Sequence, residues 1–205
     1  MKSKLVWKGK RLKRTKKYKY RYRPFLSKRV YIVLIAYFKN MAKYKEQRVG
    51  ILVDASNMYH SARNIYNRKV NYREILDKAV AGRELIRAIA YVVTSDSTEE
   101  TPFFEALNQL GFEVKMKPLQ IFAGGHKKGD WDVGITIDAI KLAEKLDVII
   151  LVTGDGDYLT LVEYLQNTKG CLVEVLAFRQ SASSHLVEVS DDFIDLSSNP
   201  KFLIK

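Results

Sequence analysis

The sequence predicts an α/β fold: a three-layer α/β/α sandwich with a mainly parallel central sheet, plus a basic arm at its N-terminal end. Three observations lead there. Strand-length apolar runs alternate with helix-length segments from residue 49 to residue 178, and that alternation demands crossover connections between parallel strands, with helices on both faces. The runs VGILV (49–53) and VIILV (148–152) contain no polar side chain, as strands covered on both faces require. The charge, finally, is segregated. Residues 1–48 hold 18 Lys or Arg and one acid, Glu46, while the remainder holds 17 basic and 22 acidic residues, so the net charge of +12 belongs to the arm.

The first core element, VGILVDASN (49–57), reads as a buried strand ending at Asp54, and SNMYHSARNIY continues it as a helix capped by Ser56 or Asn57. YREILDKAV (72–80) is helical, with Gly82 as its stop. ELIRAIAYVVTS (84–95) is a second β-rich strand, and TEETPFFEALNQLG (98–111) is a helix closed by Gly111. FEVKMKPLQ (112–120) alternates apolar and polar residues, as a strand nearer the edge does. AGGHKKGD (123–130) is a loop, WDVGITIDAIKLAEKL (131–146) a helix and DVIILVTG (147–154) an apolar strand. YLTLVEYLQNTKG (158–170) is a helix and CLVEVLAF (171–178) another strand. The implied division is an extension at 1–48, a domain at 49–198 and a tail at 199–205.

The extension carries the tract KGKRLKRTKKYKYRYR (8–23), too densely charged to form a core of its own. The segment VYIVLIAYF (30–38) imitates a signal sequence but lacks a small-residue cleavage pattern. It also falls far short of the roughly 20 apolar residues of a membrane-crossing helix, so it is expected to pack on the domain, and a membrane partner is disfavoured. A single cysteine, Cys171, excludes an internal disulfide and any zinc-type Cys/His spacing. That usage fits a reducing, cytoplasmic setting.

In an open parallel sheet, ligands bind beyond the carboxyl ends of the strands, where the strand order reverses. Asp54 ends the first core strand, Asp155 and Asp157 follow the strand 147–154, and Asp132 opens the helix after the third strand. If the strands starting near 49 and 147 are neighbours, carboxylates from three junctions meet. Like charges at such range repel unless some stay protonated or a cation joins them. Oxygen donors without a His or Cys cluster select Mg²⁺ or Mn²⁺ over zinc. Such an ion polarises a phosphoryl oxygen and generates a hydroxide-like nucleophile from water, and beside a basic arm this suggests phosphodiester hydrolysis. Any single one of these aspartates could be a plain helix cap, favourable by about 0.3–1 kcal/mol. Their recurrence at three junctions of one rim is what favours a metal. Asn57 is either a cap or a neutral amide that orients water or substrate. Asp138 lies six positions after Asp132, about 120° around the helix, and so could only support the site from behind.

The remaining polar motifs are weaker. His60, His126 and His185 are scattered; His60 reads as a packing or surface residue, while His126 lies in the loop near the rim, within reach of substrate. AGGHKKGD does not have phosphate-loop spacing, nor the Lys-Ser or Lys-Thr pair that must follow.

Taken together, DASN (54–57), KKGDWDVGITIDAI (127–140), LVTGDGDYLTLVEYLQNTKGCLVEVLAF (151–178) and SDDFIDL (190–196) resemble the NYN domain family, in particular its LabA-like branch, which is related to the PIN-domain nucleases. The resemblance covers roughly residues 49–197. It implies a PIN-like sandwich and metal-dependent ribonuclease activity, with the family's acidic site falling on Asp54, Asp132, Asp155 and Asp157 and its polar companion on Asn57. Lys128 stands near the lysine that commonly precedes the central aspartate, with Asp130 and Trp131 intervening. Asp191, in the closing motif, is expected to fix the last loop.

The arm then reads as the RNA-binding element. Its Lys and Arg release counterions on meeting phosphates. Lys16, Lys17, Lys19, Arg21 and Arg23 interleave with Tyr18, Tyr20 and Tyr22, rings on which bases stack for about 1–3 kcal/mol each. The expected protein is a Mg²⁺- or Mn²⁺-dependent ribonuclease that hydrolyses RNA by metal-activated water. It needs no small-molecule cofactor, and a homodimer is compatible with it. The alternative is a non-catalytic RNA-binding or regulatory module. A Mg²⁺-dependent phosphatase of the haloacid-dehalogenase type is disfavoured, because Asp54 is followed two positions later by Ser56, not by a second aspartate.

Overall fold

The computed structural model describes residues 44–94, 101–121 and 127–204, with backbone alone at 120, 121, 127 and 128. The tract with Lys16, Lys17, Tyr18, Lys19, Tyr20, Arg21 and Arg23, the apolar segment 30–38 and His126 lie outside the described residues.

The chain runs β1 (Arg48–Asp54), α1 (Ala55–Tyr66), β2 (Lys69–Val70), α2 (Tyr72–Val80), β3 (Glu84–Thr94), α3 (Thr101–Gln109), β4 (Glu113–Pro118), β5 (Gln120–Ile121), β6 (Lys127–Lys128), α4 (Asp132–Leu142) and β7 (Val148–Val152). It continues through α5 (Leu159–Tyr164), β8 (Leu172–Ala177), α6 (Ser184–Val189), β9 (Asp192–Asp195) and β10 (Leu203–Ile204). Six strands form one sheet in the order β4-β3-β1-β7-β8-β9, every neighbouring pair parallel. β1 and β7 are neighbours, with Val49 opposite Val148 and Val53 opposite Val152. The strand order reverses between them, because β1 leads on through the sequence to β3 on one side and meets the much later β7 on the other. Ligand crevices form at such a point.

Alternation of side chains across the pleat divides the interior into two layers. Val49, Ile51, Val53, Val148, Ile150 and Val152 pack with Met58 and Ala62 of α1 and Ile75 and Ala79 of α2. Leu52, Ile149 and Leu151 pack on the other face with Ile135 and Ala139 of α4 and Leu161 and Val162 of α5. Gly50 is required on that second face, where a Cβ would lie 2.3 Å from Leu146 Cδ1. Both faces of β1 and β7 are therefore covered, and the result is the three-layer sandwich.

Several boundaries differ from the expectation. The first helix is capped by Asp54, whose side chain accepts the Asn57 N–H, and not by Ser56 or Asn57. The loop at 123–130 contributes β6, paired antiparallel with β5. A 3₁₀ turn, Gly156–Tyr158, precedes α5, and a π-helical turn, Leu165–Lys169, follows it. β9 is a sixth parallel strand that the sequence pattern does not reveal, because none of its four residues is fully buried. Residues 199–204 are not a free tail: Phe202 is buried and β10 pairs with β2. Among the described residues no helix is long and apolar enough to cross a membrane.

Candidate metal centre

Asp54 is the last residue of β1 and leaves the strand with ψ 92°, so that its carboxylate turns back on the first turn of α1 and accepts the Asn57 N–H at 3.0 Å. The side chain is only 8% exposed. Burial lifts its pKa from 3.8 to about 6, against the pull of the Asn57 hydrogen bond, and the charges of Asp132 and Asp155 push it the same way as burial. The electrostatic field thus joins three chain segments at one rim.

Asp155 follows β7 and opens the 3₁₀ turn. Its Oδ1 accepts the Asp157 N–H at 3.0 Å, and its own N–H donates to Thr153 Oγ1 at 3.2 Å. The turn is tight because its glycines lie against the 181–183 loop. A Cβ on Gly154 would stand 3.0 Å from Ala182 Cα and Ser181 O, and one on Gly156 would stand 2.9 Å from Ser183 Oγ. Asp132 is the first residue of α4, on the opposite face of the sheet from α1. Its Oδ1 accepts a hydrogen bond from Tyr158 Oη at 3.1 Å. Partial burial raises its pKa, the Tyr158 bond opposes that, and Asp155, Asp130 and Asp157 reinforce it.

Asp132, Asp155 and Asp157 each offer a carboxylate oxygen, and these oxygens lie within 4.8 Å of one another. In an octahedral Mg²⁺ shell with bonds of 2.0–2.1 Å, neighbouring ligands are about 2.9 Å apart and opposite ones about 4.2 Å, so the three side chains would draw together to hold one ion. All donors are hard oxygens, as that ion requires. Asp54 lies outside this closest group and faces it from β1. The cluster is half-buried at Asp132 and Asp155 and exposed at Asp157. Two surface clefts, of 440 and 450 Å³, lie along the C-terminal turns, the first against α2 and β9 and the second against the end of α1, and no residue of the cluster lines either.

The family follows from comparison. The NYN domain profile matches residues 48–197. The chain belongs to the NYN domain family. As an NYN domain it is 27% identical over 177 residues to the low amplitude and bright protein LabA of Synechococcus elongatus, spanning 79% of this chain and 90% of that one. It is also similar to the crystal structure of VPA0982, a Vibrio parahaemolyticus protein of unknown function, with a TM-score of 0.73, 35% identity and coverage of 79% of this chain and 99% of that one. The acidic cluster of this NYN domain is compatible with metal binding.

The other expected residues take different places. Asn57 is half-buried, and its Oδ1 accepts the Gly154 N–H at 3.0 Å. It therefore stitches the end of β1 to the end of β7, a structural duty that occupies its carbonyl. Asp138 points away from the cluster: its Oδ2 accepts from Tyr91 Oη at 2.7 Å and from Lys115 Nζ at 2.5 Å. Lys128 pairs by backbone with Gln120 in the short hairpin, and its side chain lies outside the described residues. Asp191 fixes the final loop, as expected, accepting from Val173 N at 2.7 Å and Gln166 Nε2 at 3.0 Å. His60 stands exposed against Tyr59 on α1, and His185 is exposed on α6. Tyr158 was missed. It reads from sequence as the first residue of an amphipathic helix, and only its position directly after Asp157 hints at the site.

Proposed function

We propose that this NYN domain is a Mg²⁺- or Mn²⁺-dependent ribonuclease. The observation that carries the reading is the meeting of Asp132, Asp155 and Asp157 at the reversal of strand order, beside a buried Asp54 whose charge is already penalised. NYN domains are typically nucleases, which supports it. Asp132, Asp155 and Asp157 would hold the ion, and Asp54 would face it from β1. When bound, the ion supplies a polarised phosphoryl oxygen and an activated water. The chain's own residues set the geometry: Thr153, Asp155 and the 181–183 loop fix the acidic turn, and Asn57 keeps the β1 and β7 ends in register. The basic arm within residues 1–48 brings phosphate charge towards an acidic rim that would otherwise repel it. The domain proper starts no later than Gln47, whose carbonyl accepts the Glu84 N–H at 3.1 Å. A reducing cytoplasmic setting accords with Cys171, a buried thiol that donates to Ala143 O and Leu146 O.

The test is cleavage of single-stranded and structured RNA with Mn²⁺ present or chelated. Asp155→Asn keeps an oxygen to accept the Asp157 N–H, so the turn survives while the charge is lost. Cleavage should fall by about 10²-fold or more, as when a transition-state charge stabiliser is removed. Undiminished cleavage by Asp155→Asn would defeat the catalytic assignment. Protein that binds RNA but does not cut it, whichever divalent ion is supplied, would instead identify a binding module. Separately, removal of residues 1–43 should weaken RNA binding by about tenfold or more at low salt and flatten its dependence on salt. An unchanged affinity would defeat the role given to the arm.

A further inference from the structure

We infer that Tyr158 is a positioning residue for Asp132, its buried hydroxyl holding that carboxylate towards Asp155 and Asp157 and thereby setting the affinity of the centre for its ion. The inference rests on the metal reading above and deepens it. Tyr158 is 1% exposed and belongs to the second core layer, with Ile135, Leu161 and Leu186. It closes the same 3₁₀ turn that Asp155 opens and that contains Asp157. Its Oη reaches across to Asp132 Oδ1, 26 residues earlier, at 3.1 Å. One side chain therefore ties the acidic turn after β7 to the start of α4. Nothing else among the described residues does so: the residue before Asp132, Trp131, gives the helix no side-chain cap, and Tyr158 makes the one hydrogen bond to the Asp132 carboxylate.

The chemistry of the donor matters as much as its place. Tyr91, also in the second core layer, makes the same kind of bond to Asp138 of the same helix, but there Lys115 completes an ion pair. A lysine or arginine at Asp132 would neutralise the charge an ion needs. A phenol orients the carboxylate through its hydrogen bond and leaves the carboxylate's charge in place. Partners that orient metal ligands in this way are worth 10–100-fold in metal affinity.

The test is Mn²⁺ affinity of the full chain, followed by the electron paramagnetic resonance of free Mn²⁺ at fixed pH, for the wild type, Tyr158→Phe, Tyr91→Phe, Asp132→Asn and the double variant Asp132→Asn/Tyr158→Phe. Tyr158→Phe should bind about 10–100-fold more weakly, while Tyr91→Phe binds like the wild type. Because Tyr158 acts through Asp132, the double variant should bind no more weakly than Asp132→Asn alone. Metal-free melting temperatures separate this from general loosening, since both phenylalanine variants lose one buried hydroxyl bond and should shift alike. Wild-type affinity in Tyr158→Phe, or additive losses in the double variant, would overturn the inference while leaving the metal centre intact. A wild type that binds no Mn²⁺ would overturn the metal reading and the inference with it.

Discussion

Asp54→Asn, free of metal at pH 8, is expected to be about 3 kcal/mol more stable than the wild type, from roughly two pKa units at 1.36 kcal/mol each. The wild-type carboxyl sits almost wholly inside the fold, and its pKa of about 6 there exceeds its ordinary 3.8. Below about pH 4 it is protonated folded and unfolded, and nothing is lost. As pH rises through about 6, Asp54 must ionise inside the protein, and the folded state loses stability that the unfolded chain does not. Asparagine carries no charge and still offers an oxygen to cap α1. The gap should therefore close between pH 8 and pH 4. For a domain of this size it amounts to a melting-temperature difference of about 6–12 °C at pH 8. Saturating Mn²⁺ should restore the wild type by about 2.7 kcal/mol at a hundred times its Kd, and should restore the variant less. Thermal melts across that pH range, with and without Mn²⁺, check all three statements. Equal melting of the two proteins at pH 8 would mean that Asp54 bears no burial penalty.

The second large effect lies far from the site. Glu174→Ala is expected to destabilise the protein by about 3–5 kcal/mol, the usual cost of breaking a buried ion pair from one side. Glu174 lies on β8, inside the sheet, and receives both terminal nitrogens of Arg83 at 2.7 and 2.9 Å. The two residues are 3% and 5% exposed. Arg83 also donates to the carbonyls of Val80 and Ala79, so it caps the end of α2 while it grips the sheet. Removing the carboxylate strands a guanidinium in the core. Replacing both partners, as Arg83→Met/Glu174→Leu, should recover most of the loss, because the cost is the unpaired charge and not the missing bond. Chemical denaturation of the two variants measures the difference. A single variant within 1 kcal/mol of the wild type would show that water reaches Arg83.

Much of this was written locally. The apolar runs at 49–53 and 148–152 gave their strands away, and the glycines at 82, 111 and 170, all with positive φ, fell where the helices were expected to stop. Asp54, Asp132, Asp155 and Asp157 could be singled out because each follows or opens an element whose period is plain. The cap on α1 was misplaced by two or three residues, since Asp54, Ser56 and Asn57 are all good caps and only the backbone angle at Asp54 chooses between them. β9 escaped notice because an edge strand buries too little to show a pattern.

The sequence by itself determined the alternation of strands and helices, the burial of the central strands on both faces, the segregation of basic charge and the identity of the acids. Those depend on periods of two and 3.6 residues and on residue type, which any short stretch of chain reveals. The tertiary structure alone decided that β1 lies beside β7, that Asn57 accepts the Gly154 N–H and Asp138 joins a lysine pair, and that Tyr158 reaches Asp132. Each of the last three is a contact between residues 23 to 97 positions apart, and no local pattern encodes a distance that packing sets.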